Sequence, residues 1–428
     1  MSLDEAFERA KREREKQLYS AGVSQLSVIE REYGFLEIRA YPSMDGVLAA
    51  STLYSLLRGK GIHSWIVFDP LPPEQVKEPS ILIGYEPSIS LTIDYRAPSI
   101  VIARGEKPQG LTRAALVAAR DASLTGLAVG MMSEILVVGD RGLLGLAAAY
   151  WLSLDRDQRG DFIGPESWLA ELFEAENRVA AQLTLKLFDW FEKPVDEAIA
   201  STLDPFYPGL TGDPDAVKKF LGSDVETAKL VGVRLSDAPE EAVTRLGERL
   251  YDHLRSASRV SRRPTEVIGV SRYTLRLPVK DLRRLPSVVA AWLDSKGVAA
   301  MTPLPSALDT VTRLAEAVYG ASFDDTVLSI ERIVKNPSFV EQRSYGPIRV
   351  CIHRSLADEA VYPIVAKQLR LLGYYPSDCL AGVDRGARVE VLLDDPMLEV
   401  KPERLREAFK RGCLRYQQGS LYAEARPC

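Results

Sequence analysis

Residues 35–54 (FLEIRAYPSMDGVLAASTLY) constrain the fold more than any other stretch. Phe35, Leu36, Ile38 and Ala40 form an apolar run that stops at Pro42, and an Asp45-Gly46 step follows. Val47, Ala50, Leu53 and Leu57 then recur at the spacing of one helix face, so the stretch reads as strand, loop and helix. In such a unit the loop lies at the carboxyl end of the strand, where open α/β sheets hold their ligands, with Asp45 near the helix start.

The chain's 428 residues, 46% of them hydrophobic, suffice for at least two cores. With 54 Lys and Arg against 59 Asp and Glu, the formal net charge of -5 excludes a polyanion binder by overall charge and leaves room for a local basic groove. No apolar run reaches the roughly 18 residues of a membrane span, and the charged N-terminus is no signal peptide; the expected location is the cytoplasm, away from membranes. Cys351, Cys379, Cys413 and Cys428 form no C-x-x-C pair and are expected to be reduced thiols. Asparagine occurs only at Asn177 and Asn336 while Glu, Arg and Lys abound, a composition compatible with a hot-living host.

Along the chain, residues 2–32 form a charged helix with a thin stripe of Leu3, Phe7, Ala10 and Leu18. Strands are expected at 65–68, 80–84, 89–93, 99–103 and 135–138, and helices at 112–123 and 143–154. Strands alternating with helices imply a parallel sheet covered on both faces. Residues 165–200 carry Trp168, Leu172, Leu183, Leu187 and Trp190 at helical spacing and read as a helix pair. The prolines and glycines of 201–212 make a structured loop, followed by a short helix over 217–221. Helices are expected at 240–257, 282–296 and 307–319, with strands at 266–270 and 274–278. The last unit has strands at 348–352 and 387–393 and helices at 357–372 and 402–411. Neither internal repeats nor low-complexity segments occur.

Three separate expected strand ends deliver an aspartate: Asp45 in YPSMDG, Asp94 in IDYR and Asp140 in GDRG. Carboxylates converging on the carboxyl edge of a parallel sheet hold Mg²⁺ or Mn²⁺ for phosphoester hydrolysis. Singly, each has an ordinary use: Asp45 caps a helix, and Asp94 and Asp140 make turns. His63, His253 and His353 have no partners at metal-ligand spacing, and nucleophile-elbow, P-loop and dinucleotide motifs are missing.

Together these segments resemble the DHH phosphoesterase superfamily, in its archaeal RecJ-like branch. The family's first motif, His-x-Asp-x-Asp-Gly followed by small residues and Leu, aligns with Tyr41, Ser43, Asp45 and Gly46, then Ala49, Ala50 and Leu53. The second-motif aspartate falls on Gly84 or Tyr85, the Asp-His-His on Asp94, Tyr95 and Arg96, and the fourth motif on Asp140. DPFYPGLTGD (204–213) resembles a segment that follows the helical linker in RecJ-like proteins, and GCLRYQQGSLYAEA (412–425) a worn Gly-Gly-Gly-His motif of the DHH-associated domain.

The resemblance implies an α/β fold: a parallel-sheet DHH-type domain (1–160), a helical linker with the Pro/Gly loop (161–230), a mixed middle region (231–345), and a smaller α/β DHH-associated-like domain (346–428). It also implies the loss of function at the metal site. A two-metal hydrolase sets its cations roughly 3.5–4 Å apart and needs several carboxylates and histidines to hold them. Here the first motif lacks its histidine and one aspartate, the second its aspartate and the third both histidines, while Arg96 adds a fixed positive charge. No cofactor is then expected. The family context implies a non-catalytic replication subunit with GINS and MCM as partners. The alternative is a Mn²⁺- or Mg²⁺-dependent single-strand 5′-3′ exonuclease with ligands Asp45, Asp94 and Asp140. For single-stranded DNA, the basic clusters offer Arg255, Arg259, Arg262 and Arg263, then Arg272, Arg276, Lys280, Arg283 and Arg284, interleaved with Tyr251 and Tyr273.

Overall fold

A computed structural model describes residues 3–106, 108, 114–386, 388–394 and 402–428, with side chains at residue 13 and from residue 16 onward. The chain forms two units. The first comprises residues 1–154, 163–175 and 298–308, the second 155–162, 176–297 and 309–428.

In the first unit, α1 (Leu3–Glu32) leads into β1 (Phe35–Ala40), α2 (Met44–Gly59) and β2 (His63–Phe68). Then come β3 (Gln75–Val76), β4 (Ser80–Ile83), the single turn α3 (Pro87–Ser90), β5 (Asp94–Tyr95), β6 (Ser99–Arg104) and β7 (Ala115–Ala119). Helices α4 (Leu124–Ser133), α5 (Leu143–Trp151) and α6 (Pro165–Ala175) complete it. The five long strands form an all-parallel sheet in the order β2-β1-β4-β6-β7, and β3 and β5 pair separately. The connection from β1 runs to one side and the return to β4 to the other, so the topological switch point lies between the carboxyl ends of β1 and β4. Helix α2 is buried on nearly every side, against β1 and β2 and against α4 and α5, and between Asp45 at its start and Arg58 at its end its buried polar residues are all small, Ser51, Thr52 and Ser55. Gly46 is required at its start, because a Cβ there would lie 2.3 Å from the Tyr41 carbonyl oxygen.

The second unit contains β8 (Ala180–Leu185), α7 (Val195–Ser201), α8 (Pro214–Gly222), α9 (Val225–Ala228), α10 (Glu240–Ala257), β9 (Ile268–Tyr273) and α11 (Leu285–Lys296). The long α12 (Leu308–Lys335) follows, then β10 (Val340–Tyr345), β11 (Ile348–His353), α13 (Tyr362–Leu371), β12 (Leu380–Asp384), β13 (Val389–Leu392), α14 (Pro402–Lys410), β14 (Leu414–Tyr416) and β15 (Tyr422–Ala425). Strands β8 and β9 form an antiparallel pair; β10-β11-β12-β13-β15-β14 form a mixed sheet in which only β11 and β12 are parallel. The fold is thus α/β with a parallel central sheet, as the resemblance implies.

Several local expectations are corrected. The helix expected over 112–123 is strand β7 where it is described, since hydrogen bonding along the free edge of β6 outweighs the helix preference of its alanines; residues 112 and 113 lie outside the described residues, as do Ala387 and the side chains of Leu3, Phe7 and Ala10. The helix pair over 165–200 is helix α6 and then strand β8: Asn177, at φ 53°, ends the helical course, and Leu183 lies on a strand. Residues 89–93 hold a helical turn in place of a strand, 135–138 an irregular segment after α4, and 274–278 a turn braced by Thr274 Oγ1. The helix expected over 307–319 continues through Gly320 to Lys335. The cysteines are not reduced thiols. Cys351 and Cys379 form one disulfide and Cys413 and Cys428 another, with Cα atoms 5.7 and 5.0 Å apart, because β-sheet pairing brings together residues that no short sequence spacing relates.

Candidate functional site

At the carboxyl edge of the parallel sheet the first motif folds tightly. Ser43 caps α2 by accepting the Gly46 N–H at 3.1 Å. Asp45, 1% exposed, is bound by the first turn of α4, the helix that follows β7. Its Oδ2 accepts the Leu124 N–H at 2.7 Å, and its Oδ1 accepts the Thr125 N–H at 2.9 Å and the Thr125 hydroxyl at 2.8 Å. Both oxygens thus serve the positive end of a helix dipole from another part of the chain.

Tyrosines occupy the switch point. Tyr85, just past β4, is 3% exposed and donates its hydroxyl to the Asp69 carbonyl at 2.8 Å. Tyr85 and Tyr95 share one apolar cluster with Val76, Leu82, Ile93 and Val101, with Tyr41 packed against it. Burial pushes the Tyr85 phenol well above the usual range, with the nearby Asp69 charge adding to the effect, and burial pushes Tyr95 up to about 12. Both are neutral phenols at physiological pH.

The other two acidic positions, Asp94 and Asp140, sit on other elements. Asp94 Oδ2 accepts from Gln75 Nε2 at 2.7 Å and from Arg96 Nε at 2.9 Å, so Arg96 is the ion-pair partner of the aspartate it follows. Asp140 is corrected in its setting: no strand precedes it, and it lies in a 3-10 turn, Gly139–Gly142, between α4 and α5. Among the described residues, no group of three His, Cys, Asp or Glu side chains has the arrangement of a metal site. The donor set does not fit a two-metal centre: one carboxylate is occupied by three N–H and O–H donors, one by a guanidinium and an amide, and the tyrosines present are not anionic.

Two carboxyl groups escaped sequence reasoning. Asp69 follows β2 directly, accepts from Arg39 at 3.3 Å and holds the Leu71 N–H at 2.9 Å; its place just after an apolar run was its only signal. Glu166, wholly buried at the start of α6, accepts the Ser123 N–H at 2.6 Å and the Ser123 hydroxyl at 2.7 Å. Burial, aided by the charge of Asp45 and opposed by Ser123, pushes it up to about 8. No sequence signal marks it.

The basic clusters divide into two groups. Arg262 is buried against Glu266 at 2.7 Å, and Arg272 is held by both oxygens of Asp161 at 2.6 and 3.1 Å. Arg283 pairs with Asp155, which also binds Lys186 at 2.5 Å; Arg284 pairs with Asp189 and Glu316. Burial works against ionisation of Asp155, but Arg283 and Lys186 outweigh it and hold the carboxyl at about 2. These internal guanidinium groups are not presented to a phosphate backbone. Arg255, Arg259, Arg263 and Arg276 are exposed, and Arg259 lies over the Tyr374 ring at 4.3 Å. Tyr251 donates to the Arg262 carbonyl, and Tyr273 stacks on Phe191 at 4.5 Å.

No protein-family model and no curated protein matches the chain. Among solved structures it is similar to CDC45 from Entamoeba histolytica, with 10% identity over 96% of this chain and 94% of that one and a TM-score of 0.54. The two share a fold. Similarity also extends to the exonuclease RecJ bound to manganese, at 10% identity over 96% of this chain and 90% of that one, TM-score 0.40. RecJ from Thermus thermophilus in complex with Mn²⁺ gives 10% identity, 96% and 52% coverage, and a TM-score of 0.37. No helix among the described residues is long and apolar enough to cross a membrane.

Proposed function

We infer that this chain is a catalytically inactive RecJ-like subunit of the archaeal replicative helicase complex, holding GINS and MCM together in the cytoplasm and contacting single-stranded DNA. One observation carries the reading: the aspartate that the resemblance aligns with a metal ligand has both oxygens engaged by the first turn of α4. A hydrolase needs that carboxylate facing substrate. Here it joins the first-motif helix to α4, and Tyr41, Tyr85 and Tyr95 fill the neighbouring edge with apolar surface. The fold shared with CDC45 supports the reading at the level of architecture. In this reading residues 1–160 are the DHH-like domain, 346–428 the DHH-associated-like domain, and no metal or other cofactor is used.

Single-strand contact falls to the exposed Arg255, Arg259, Arg263 and Arg276, because Arg262 and Arg272 are held internally. The test mixes the purified chain with purified archaeal GINS and MCM without DNA and separates the mixture by size. A stoichiometric complex is expected. Separate elution of the three components at micromolar concentration contradicts the reading.

A further inference from the structure

Helix α12 is apolar on two sides. Thr312, Ala315, Tyr319, Thr326 and Ile330 are buried within the protein, as a packed helix requires. Its outer side would ordinarily be polar. Instead Leu314, Ala317, Ala321, Asp324 and Leu328 are all exposed, Leu314 at 52% and Leu328 at 43%. Their steps of three and four residues are those of a seam that one helix presents to another. Ala317, Gly320 and Ala321 at the middle leave room for a second backbone to come close, with a leucine at either end.

The segment DPFYPGLTGD grips this helix near the end of the stripe. The Gly209 N–H donates to Glu331 Oε1 at 2.6 Å. Gly212, at φ +82°, packs so closely that a Cβ would lie 2.7 Å from Val327 Cγ1. Between segment and helix runs an open groove of about 340 Å³, walled by Thr211 and Asp213 on one side and Asp324 and Leu328 on the other. Stripe and groove form one continuous surface.

We propose that this surface receives an amphipathic helix of a partner protein, with an apolar seam and a lysine or arginine opposite Asp324. The heptad spacing selects a helix over a strand or a loop. From Leu314 to Leu328 the stripe rises about 21 Å, which calls for an occupant of about four turns. Charge selects the partner's chemistry. Asp324 makes no ion pair among the described residues, and a covering helix that buries it must bring a cation. A second copy of this chain does not meet that demand: antiparallel pairing about Ala321 sets Leu314 against Leu328 but leaves Asp324 facing Val318 and Ala317.

The experiment measures binding of fluorescent four-turn helical peptides to the full chain by anisotropy. One peptide has a Leu/Ala seam with lysine opposite Asp324; the other differs only by glutamate at that position. The lysine peptide is expected to bind at least about tenfold more tightly, a difference of roughly 1.4 kcal/mol. Leu314→Glu and Leu328→Glu, both at exposed positions, are each expected to weaken it by about tenfold or more. Asp324→Lys is expected to reverse the preference between the peptides, a result that mere loss of folding does not produce. Equal affinities for the two peptides, absence of binding, or insensitivity to all three substitutions overturns the proposal. So does concentration-dependent dimerisation by sedimentation that Leu328→Glu abolishes, which assigns the stripe to a second copy.

Discussion

Two carboxyl groups meet at the first turn of α4 and divide its N–H groups between them, Asp45 taking those of Leu124 and Thr125 and Glu166 that of Ser123. Replacing Asp45 by alanine leaves two buried N–H donors without their acceptor, while the Thr125 hydroxyl keeps the main-chain carbonyl of residue 45, at an expected cost of about 3 kcal/mol. A lowered urea midpoint with unchanged slope checks it, and Asp45→Asn, which keeps one acceptor oxygen, is expected to lose less. Glu166 gives a pH signature. Its folded carboxyl holds a proton up to about pH 8, whereas the unfolded one releases it near its ordinary value of 4.5. The folded state therefore binds more protons through this window, and stability falls as pH rises, by up to about 1.4 kcal/mol per pH unit, levelling above pH 8. Asp281 and Asp294, which burial raises to about 6, act in the same direction at lower pH, whereas His353, which burial holds down at about 4 against an ordinary 6.5, acts in the opposite direction around pH 6.5. The difference between wild type and Glu166→Gln in urea unfolding between pH 6.5 and 8 isolates Glu166, and the variant is expected to lose the fall in stability that this carboxyl causes there.

At the scale of elements, the strand-loop-helix of β1 and α2 is legible because both periods and the Asp-Gly step point the same way. The destination of Asp45 is not, since Leu124 and Thr125 stand 79 and 80 residues further on and nothing near either announces the pairing. The same limit governs the basic clusters. Sequence displays Arg272 but not Asp161, 111 residues away, and so shows a cation without its partner. Strand β7 and the strand that replaces part of the expected helix pair were hidden for another reason: their alanines and leucines suit a helix, and pairing with β6 and β9 decides otherwise. The Pro-Gly-Leu-Thr-Gly segment was legible as a motif, and the structure supplies its local use as a brace for α12. Gly212→Ala, strained by its positive φ and by Val327, is expected to cost about 1–3 kcal/mol. Chemical denaturation checks it; hydrogen exchange along α12 is expected to rise in the same variant.

At the scale of the whole molecule, the two units differ in what holds them. The first rests on a parallel sheet with helices and contains no cysteine, whereas the second carries both disulfides and, among the described residues, the buried pairs of Asp155 with Lys186 and Arg283 and the part-buried pair of Asp161 with Arg272. Each disulfide closes a short loop, of 28 and 15 residues, and each is worth about 3 kcal/mol in the chain-entropy view. Calorimetry with and without reductant is expected to show a lower Tm for the second unit and an unchanged first unit. Under the proposed function, the carboxyl edge of the parallel sheet hydrolyses no phosphoester. The most direct measurement incubates the full chain with end-labelled single-stranded DNA in millimolar Mn²⁺. Intact DNA is the expected result, and degradation that disappears with chelator and in both Asp94→Asn and Asp140→Asn contradicts the claim.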